Sequence, residues 1–182
     1  KDYLIGNVGR NIKFKATDES PFKIFANDFD NNGINDVVLS KKYHETYVPV
    51  RGRECSSQQM PFIKDKFSTY NDFANATMED IYGEKLKESY SKEANEFNSI
   101  LLLNKGDNNF EKITLPNECQ LFPTLAITLF DLNNDGFEDC VISGNIYETE
   151  VETPRLDAIS GLALISNGKD GYTPATMEKT GL

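Results

Sequence analysis

Basic residues, histidine and long apolar runs are all scarce in this sequence. Acidic residues outnumber basic ones by 29 to 19 among 182 residues, so the net charge is −10. Nucleic acids and anionic membranes are bound mainly through Lys and Arg, so the acidic balance argues against both as principal partners. The absence of any apolar run of about 18 residues argues against a membrane-spanning helix. The first residues, KDYLIGNVG, lack the plan of a signal peptide and resemble a strand already under way, so we expect a piece of a longer protein.

Cysteine and histidine are too few, and too poorly spaced, to indicate a zinc site or a catalytic triad. The three cysteines are Cys55, Cys119 and Cys140; Cys140 lies in an apolar run and is expected to be a small buried side chain. A Cys55–Cys119 disulfide is an open alternative if the parent protein is secreted. The only histidine, His44, lies beside Glu45 and could act as a general base, but a surface role is more typical. The sequence has no Ser-centred elbow, HExxH motif or glycine-rich phosphate loop, which favours a non-enzymatic protein.

Two acidic loops, each followed by an apolar strand-like run, carry the strongest chemical signal. They lie in NDFDNNGINDVVLS (residues 27–40) and LFDLNNDGFEDCVISGN (residues 129–145). Calcium takes about six to eight oxygen ligands, which a short loop can supply from side chains at alternate positions and one backbone carbonyl. The predicted ligands are Asp28, Asp30, Asn32, the carbonyl of Ile34 and Asp36 in the first loop, and Asp131, Asn133, Asp135, the carbonyl of Phe137 and Asp139 in the second. Gly33 and Gly136 would allow the sharp turn.

Two other kinds of loop share part of this pattern. Asx-rich turns that need no metal would also concentrate Asp and Asn. An EF-hand would carry a bidentate Glu at the end of the loop and continue into a helix, whereas Leu39 and Ile142 stand there and β-like runs follow. The sequence therefore favours calcium bound within a β architecture.

Short apolar runs bounded by Gly, Asn and Asp predict a mainly β fold. The predicted strands are residues 3–6, 22–27, 36–42, 99–104, 110–114, 124–130, 139–143, 160–166 and 172–177. Residues 69–97 instead place apolar side chains at helical spacing, and Gly83 would end one helix and begin another. Residues 43–98 are therefore predicted to be a mostly helical insertion.

Outside the insertion, the sequence contains an internal repeat. Each copy has an acidic loop, a strand and a hairpin, and LIGN at 4–7 matches ISGN at 142–145. Repeated units of short strands with a fixed loop are typical of β-propeller blades. We predict about two blades and the end of a preceding one: 1–20 ends that blade, 21–42 and 99–118 form the first full blade, 43–98 is the insertion, and 119–182 forms the second.

The loops, together with VVLS at 37–40 and CVISGN at 140–145, resemble FG-GAP/VCBS repeats, the blades of integrin α-type β-propellers. Longer stretches, among them NSILLLNKGDNNFEKITLPNECQLFPTLAI (98–127), are similar to large bacterial VCBS/FG-GAP repeat proteins, often from Bacteroidota, that occur with ASPIC-type modules. The resemblance implies a secreted or outer-membrane-associated propeller that binds calcium through the loop residues named above and presents loops to a partner. Asn133 in place of the commoner Asp, Cys140 at a Leu/Ile position and SKK at 40–42 depart from the pattern.

We therefore expect a calcium-binding β-propeller module of an extracellular or outer-membrane-associated protein, acting as a scaffold for a protein or carbohydrate ligand. One alternative is part of an extracellular hydrolytic, carbohydrate-active enzyme with a site between the blade loops and the insertion. Another is a set of repeats that only spaces other domains. Arg51, Arg53 and Arg155 could bind an acidic partner, although scattered arginines are usually solvated.

Overall fold

The computed structural model describes residues 1–149 and 152–181 and divides into two compact units. Unit 1 comprises residues 1–13 and 97–182, and unit 2 comprises residues 14–96. Both units are built on antiparallel sheets, so the predicted mainly β fold is confirmed. No helix in the described ranges is long and apolar enough to cross a bilayer.

Unit 2 is a four-stranded sheet covered by short helices. Its strands are β2 (Phe22–Asn27), β3 (Asp36–Tyr43), β4 (Thr46–Pro49) and β5 (Tyr90–Ala94), in the spatial order β4-β3-β2-β5. Between β4 and β5 run α1 (Arg53–Gln59), α2 (Phe62–Lys66), α3 (Tyr70–Ala74), α4 (Met78–Tyr82) and α5 (Glu84–Glu88). Side chains alternate along β3, so that Asp36, Val38 and Ser40 are buried while their neighbours are more exposed. Val38 and Phe29 pack there with apolar residues from the helices to form the core of this unit.

Unit 1 holds two sheets. The first has the order β1-β6-β7, from β1 (Tyr3–Ile5), β6 (Ile100–Gly106) and β7 (Asn109–Thr114). The second has the order β11-β10-β9-β8, from β8 (Ala126–Phe130), β9 (Asp139–Ser143), β10 (Leu162–Ser166) and β11 (Tyr172–Pro174). A 3₁₀ turn (Asn117–Gln120) precedes β8, and a short helix, α6 (Met177–Thr180), follows β11. Both sheets contribute to one apolar core, with Leu101 and Leu103 from the first and Cys140, Ile142 and Leu164 from the second.

Two glycines of the repeated LIGN and ISGN segments pack against the same stretch of chain in unit 1. A Cβ on Gly6 would overlap the carbonyl oxygen of Thr124, and a Cβ on Gly144 would overlap that of Pro123. Close approach lets Thr124 N donate to Asn7 O at 2.8 Å and Leu125 N donate to Ser143 O at 3.0 Å. The glycines are needed here because any larger residue would push residues 123–125 away.

The strands that were expected to form the first full blade lie in two different sheets. Residues 21–42 and 99–118 were expected in one blade, but β2 and β3 lie in one sheet and β6 and β7 in another. β6 pairs with β1, with Leu4 opposite Leu101, as β9 pairs with β10, with Ile142 opposite Leu162. The β1-β6-β7 sheet thus repeats the β9-β10-β11 arrangement, and this is the structural meaning of the LIGN and ISGN match.

The expected insertion 43–98 is helical only in its middle. Its ends contribute β4 and β5, which complete the sheet on either side of β3 and β2. Tyr90 and Ala94, which were placed on a helix, lie in β5, because pairing with β2 satisfies backbone groups that a bare strand edge would leave open. Gly83 ends α4 and begins α5 as predicted, with φ 59° and ψ −140°.

None of the three cysteines forms a disulfide in the described part of the chain, so the alternative Cys55–Cys119 disulfide is not formed. Cys140 is fully buried, which confirms its expected role as a small core residue. Burial raises the pKa of Cys119 and that of Cys140 to about 12.

Candidate metal centres

The first acidic loop joins β2 to β3 of unit 2 and is held by its own acceptors. Asn27 pairs with Asp36 at the end of the hairpin, and residues 28–35 form the loop between them. The Asp28 carboxylate accepts hydrogen bonds from Asn32 N at 3.0 Å and Gly33 N at 2.9 Å. Asp30 Oδ1 accepts from Asn32 N at 3.2 Å, and Asn32 Oδ1 accepts from Ile34 N at 2.8 Å. The side-chain oxygens predicted as ligands therefore face the inside of the turn.

The second loop, between β8 and β9 of unit 1, repeats this network bond for bond. The Asp131 carboxylate accepts from Asp135 N at 3.2 Å and Gly136 N at 2.9 Å. Asn133 Oδ1 accepts from Asp135 N at 2.9 Å, and Asp135 Oδ1 accepts from Phe137 N at 2.9 Å. Equivalent positions of two loops with different side chains thus take up the same geometry.

The backbone conformation is repeated as well. Asn31 and Asn134 have φ of 61° and 60°, and Gly33 and Gly136 have φ of 86° and 90°. Positive φ is costly for most residues but accessible to Gly and Asn. The two glycines therefore serve the turn as predicted.

The last acid of each loop is the most buried member of its site. Asp36 is 5% exposed and Asp139 is 0% exposed. One carboxylate oxygen closes the loop: Asp36 Oδ2 accepts from Phe29 N at 3.2 Å, and Asp139 Oδ2 accepts from Leu132 N at 2.9 Å. The other oxygen has a different donor in each unit, namely Gln59 Nε2 at 3.2 Å for Asp36 and Ser166 N at 2.8 Å for Asp139.

Negative charge is most concentrated in the first loop. One carboxylate oxygen each of Asp28, Asp30 and Asp36 lies within 4.8 Å of the others. Hydrogen bonding from Gly33 N lowers the pKa of Asp28, whereas burial raises the pKa of Asp36, to which the charges of Asp30 and Asp28 add. A cation bound between these oxygens would remove that repulsion.

The second loop spreads its acids differently. Of its four predicted side-chain ligands, the first, third and fourth are carboxylates, because Asn133 occupies the position of Asp30. Among the residues that the structure describes, no three acids of this loop have carboxylate oxygens within 4.8 Å of one another. Asn133 Nδ2 donates to Asp135 Oδ2 at 2.8 Å, so this amide holds an oxygen that a cation would otherwise take. A cation bound here would use the second lone pair of that oxygen or displace the amide from it.

The chemistry of the donors fits a hard cation in both loops. Every predicted side-chain ligand is a carboxylate or an amide oxygen, the ligand type that calcium prefers. The Ile34 and Phe137 side chains are 70% and 48% exposed, as suits residues predicted to contribute only a carbonyl. Each carboxylate oxygen has two lone pairs, so accepting one N–H leaves capacity for a metal.

Two residues of the helical segment support the first loop and were not foreseen from the sequence. Gln59 reaches Asp36 as described, and Lys85 Nζ donates to Asp28 O and to Asn31 Oδ1, each at 2.6 Å. They lie 23 and 57 positions from the loop acids they support. No spacing rule links residues so far apart, so only the fold could identify them.

His44 and Glu45, the pair that could act in catalysis, and the three arginines that could bind an acidic partner do not come together at one place among the described residues. His44 occupies the β3–β4 turn with φ 52°, and its ring packs on Tyr43 at a centroid distance of 4.4 Å. Glu45 is exposed and lies 3.9 Å from Lys42 Nζ. Neither residue lines a described pocket. Arg51 and Arg53 lie together beside a pocket of unit 2, whereas Arg155 is an exposed residue of unit 1.

Comparison with protein-family models, with curated proteins and with solved structures found no match.

Proposed function

We propose that this chain is a calcium-binding β-propeller repeat module of a secreted or cell-surface protein, acting as a scaffold for a protein or carbohydrate ligand. The observation that carries the proposal is the matched pair of loops, whose five equivalent N–H···O bonds recur in units 1 and 2. Asx turns form singly in many proteins, but they do not require a buried acid at the end of the loop. A shared metal requirement accounts for both the geometry and that acid.

The strand arrangement supports a propeller. In such a fold, sheets of short antiparallel strands recur and pack face to face around an axis. The β1-β6-β7 sheet repeats β9-β10-β11, and the two sheets share one core. Each acidic loop joins two consecutive antiparallel strands, as the resemblance to FG-GAP/VCBS repeats implies.

An extracellular location suits loops of this kind. Extracellular calcium modules bind with Kd of about 0.1–1 mM, so they are filled outside cells and empty in the cytosol. At calcium about ten- to a hundredfold above Kd, each site would stabilise its unit by about 1.4–2.7 kcal/mol through mass action. Calcium would act as a folding ligand rather than as a signal.

The test is calorimetric titration of the chelator-treated protein with calcium, with magnesium as control, followed by melting at each end point. We expect two sites and a higher melting temperature with calcium. Asp28→Ala should remove one site and Asp131→Ala the other, because each deletes the first predicted ligand of its loop, a carboxylate that also accepts two backbone N–H bonds. Glu88→Gln, an exposed change outside both loops, should leave two sites.

The decisive readout is the calcium-dependent part of the melting temperature, since each alanine variant also loses loop hydrogen bonds. If the parent protein binds no calcium at millimolar concentration, the loops are acidic turns and the proposal fails.

A further inference from the structure

Unit 2 contains a pocket of about 400 Å³ formed by β3, β4, the turn that follows and α3. Its apolar wall is made by aliphatic and aromatic side chains of the strands and the helical segment, namely Val48, Pro49, Val50, Phe73, Ala74 and Ala76. This volume is within the range of about 300–1,000 Å³ typical of small-molecule sites. The pocket is large enough for one or two sugar rings.

The charge of the pocket is opposite to that of the protein. Lys41, Arg51 and Arg53 line it, and no acidic residue does so in the described part of the chain. The protein as a whole carries −10. Lys41 is exposed, and its side chain makes no ion pair or hydrogen bond within residues 1–149 and 152–181. A positive group with no acid beside it is suited to an anionic ligand.

Arg53 is held in place by neutral acceptors. Its Nε donates to Phe67 O at 2.6 Å, and its Nη2 lies 3.4 Å from Ser68 O. The carboxylate of the adjacent Glu54 is paired with Lys64 Nζ at 3.1 Å, so it has its own counter-ion. These bonds fix the guanidinium in position beside the pocket.

Two tyrosines stand at the pocket with most of their surface in solvent. Tyr43 is 60% exposed and Tyr70 is 65% exposed. The Tyr70 ring lies 5.2 Å from Arg53 Cζ, and its hydroxyl donates to Glu54 Oε2 at 3.3 Å, which fixes its orientation. Flat rings with an apolar face and a polar edge suit ligands that are apolar on one side and hydroxylated on another.

We propose that this pocket binds an acidic sugar: a pyranose ring whose C–H face lies on the tyrosines and whose carboxylate is bound by Lys41 and Arg53. The net charge of −10 opposes a densely charged polyanion. A ligand with one carboxylate, such as a uronic acid next to a neutral sugar, is therefore favoured over a heavily sulfated chain. This ligand class rests on the scaffold role proposed above, but its site is separate from the calcium ligands.

The experiment compares a disaccharide of glucuronic acid and a neutral hexose with the corresponding neutral disaccharide, by calorimetry or ligand-observed NMR in saturating calcium. The acidic disaccharide should bind about tenfold more tightly or better, the preference falling as salt rises. Lys41→Gln should remove most of the preference without changing the melting temperature. Lys92→Gln, which changes an exposed lysine of β5 outside the pocket, should keep it.

Tyr70→Ala provides a second variant, expected to weaken both disaccharides because it removes the stacking surface. Equal binding of the neutral and the acidic disaccharide would overturn the proposal. So would no binding of the acidic disaccharide at about 10 mM, since a Kd above that concentration corresponds to a binding free energy weaker than about 3 kcal/mol. Tighter binding of an acidic tripeptide than of the disaccharide would overturn the sugar assignment. Calcium titration of the same samples is read independently, so failure of the sugar site and failure of the calcium sites are distinguishable.

Discussion

Asp36 is the residue on which the first loop depends most, because it is both buried and acidic. Burial raises its pKa, so at neutral pH its ionised form is less stable in the fold than in the unfolded chain. Asp28 shows the opposite behaviour, since the Gly33 N–H lowers its pKa. The contribution of Asp28 is present above its unfolded pKa of about 3.9 and is lost as pH falls through its folded pKa.

These opposite shifts predict how calcium affinity depends on pH. As pH falls, Asp36 takes up a proton before Asp28 does, and proton and calcium compete for the same oxygens. The affinity of the first loop should therefore begin to fall while Asp28 is still ionised. Calcium titrations at a series of pH values, with carboxyl pKa values from NMR, would check this. An affinity that follows only the pKa of Asp28 would contradict it.

Tyr82 illustrates a polar group that the core accommodates without a partner. The residue is 5% exposed, its ring packs on Phe29 at 4.6 Å, and its hydroxyl has no hydrogen-bond partner among the described residues. A buried unsatisfied hydroxyl costs about 1–3 kcal/mol. Tyr82→Phe should therefore leave the free energy of unfolding unchanged or raise it by about 1 kcal/mol.

Chemical denaturation would measure that change, with Phe29→Ala as the contrasting variant. Removal of the Phe29 ring should lower the free energy of unfolding by about 3–5 kcal/mol. A loss of more than about 1 kcal/mol in Tyr82→Phe would show that the hydroxyl is hydrogen-bonded in solution.

At the scale of single residues, the turn-forming side chains of the two loops were predictable from the sequence, because their hydrogen bonds are local. Asp28, Asp30 and Asn32 are alternate residues, and Gly33 is the one residue that such a turn requires. Gln59, Lys85 and the Lys41 pocket depend on residues brought together from distant parts of the chain. Their roles become visible only when strand pairing is known.

Among the elements, the LIGN and ISGN segments each require a residue without a side chain, at Gly6 and Gly144. Gly6 and Gly144 both pack directly on residues 123–125. Gly6→Ala and Gly144→Ala should each lower the free energy of unfolding by about 1–3 kcal/mol through overpacking. The matched control is Gly52→Ala, where a Cβ meets no atom within 4 Å.

Thermal or denaturant melts of the three glycine variants would measure this difference. A control variant that loses as much stability as the other two would contradict the packing explanation, since removal of a glycine by itself lowers the entropy of the unfolded chain and favours folding.

Strand positions were predictable where apolar and polar residues alternate or where turns bound a short run. β2 and β9 were predicted with the bounds that the structure has. β5 was not, because YSKEA at 90–94 has its larger side chains at a spacing that also fits a helix, and four of its five residues are exposed. Residues 90–94 form a strand because they pair with β2. The paired residues are about 70 positions apart in the chain, a distance that local sequence patterns do not cover.

At the scale of the whole molecule, unit 2 has the attributes of an independent domain. It has its own sheet, its own core and one acidic loop. Residues 14–96 expressed alone should therefore melt cooperatively and bind one calcium ion. Circular dichroism and calorimetric titration would measure both properties. A peptide that shows no cooperative transition, with or without calcium, would indicate that unit 2 depends on the rest of the chain.

The pairing of β1 with β6 has a consequence for the order of folding. Tyr3 lies opposite Leu102, and the whole of unit 2 is the stretch of chain between these two strands. During synthesis β1 is made before unit 2, which is nested between β1 and β6. β1 therefore cannot pair with β6 until the whole of unit 2 has been made. Closing so long a loop is entropically costly while it is unfolded, and the cost shrinks once the nested domain has folded. Cotranslational folding should therefore complete the nested domain before β1 pairs with β6, so that damage to the nested domain delays formation of the β1-β6-β7 sheet.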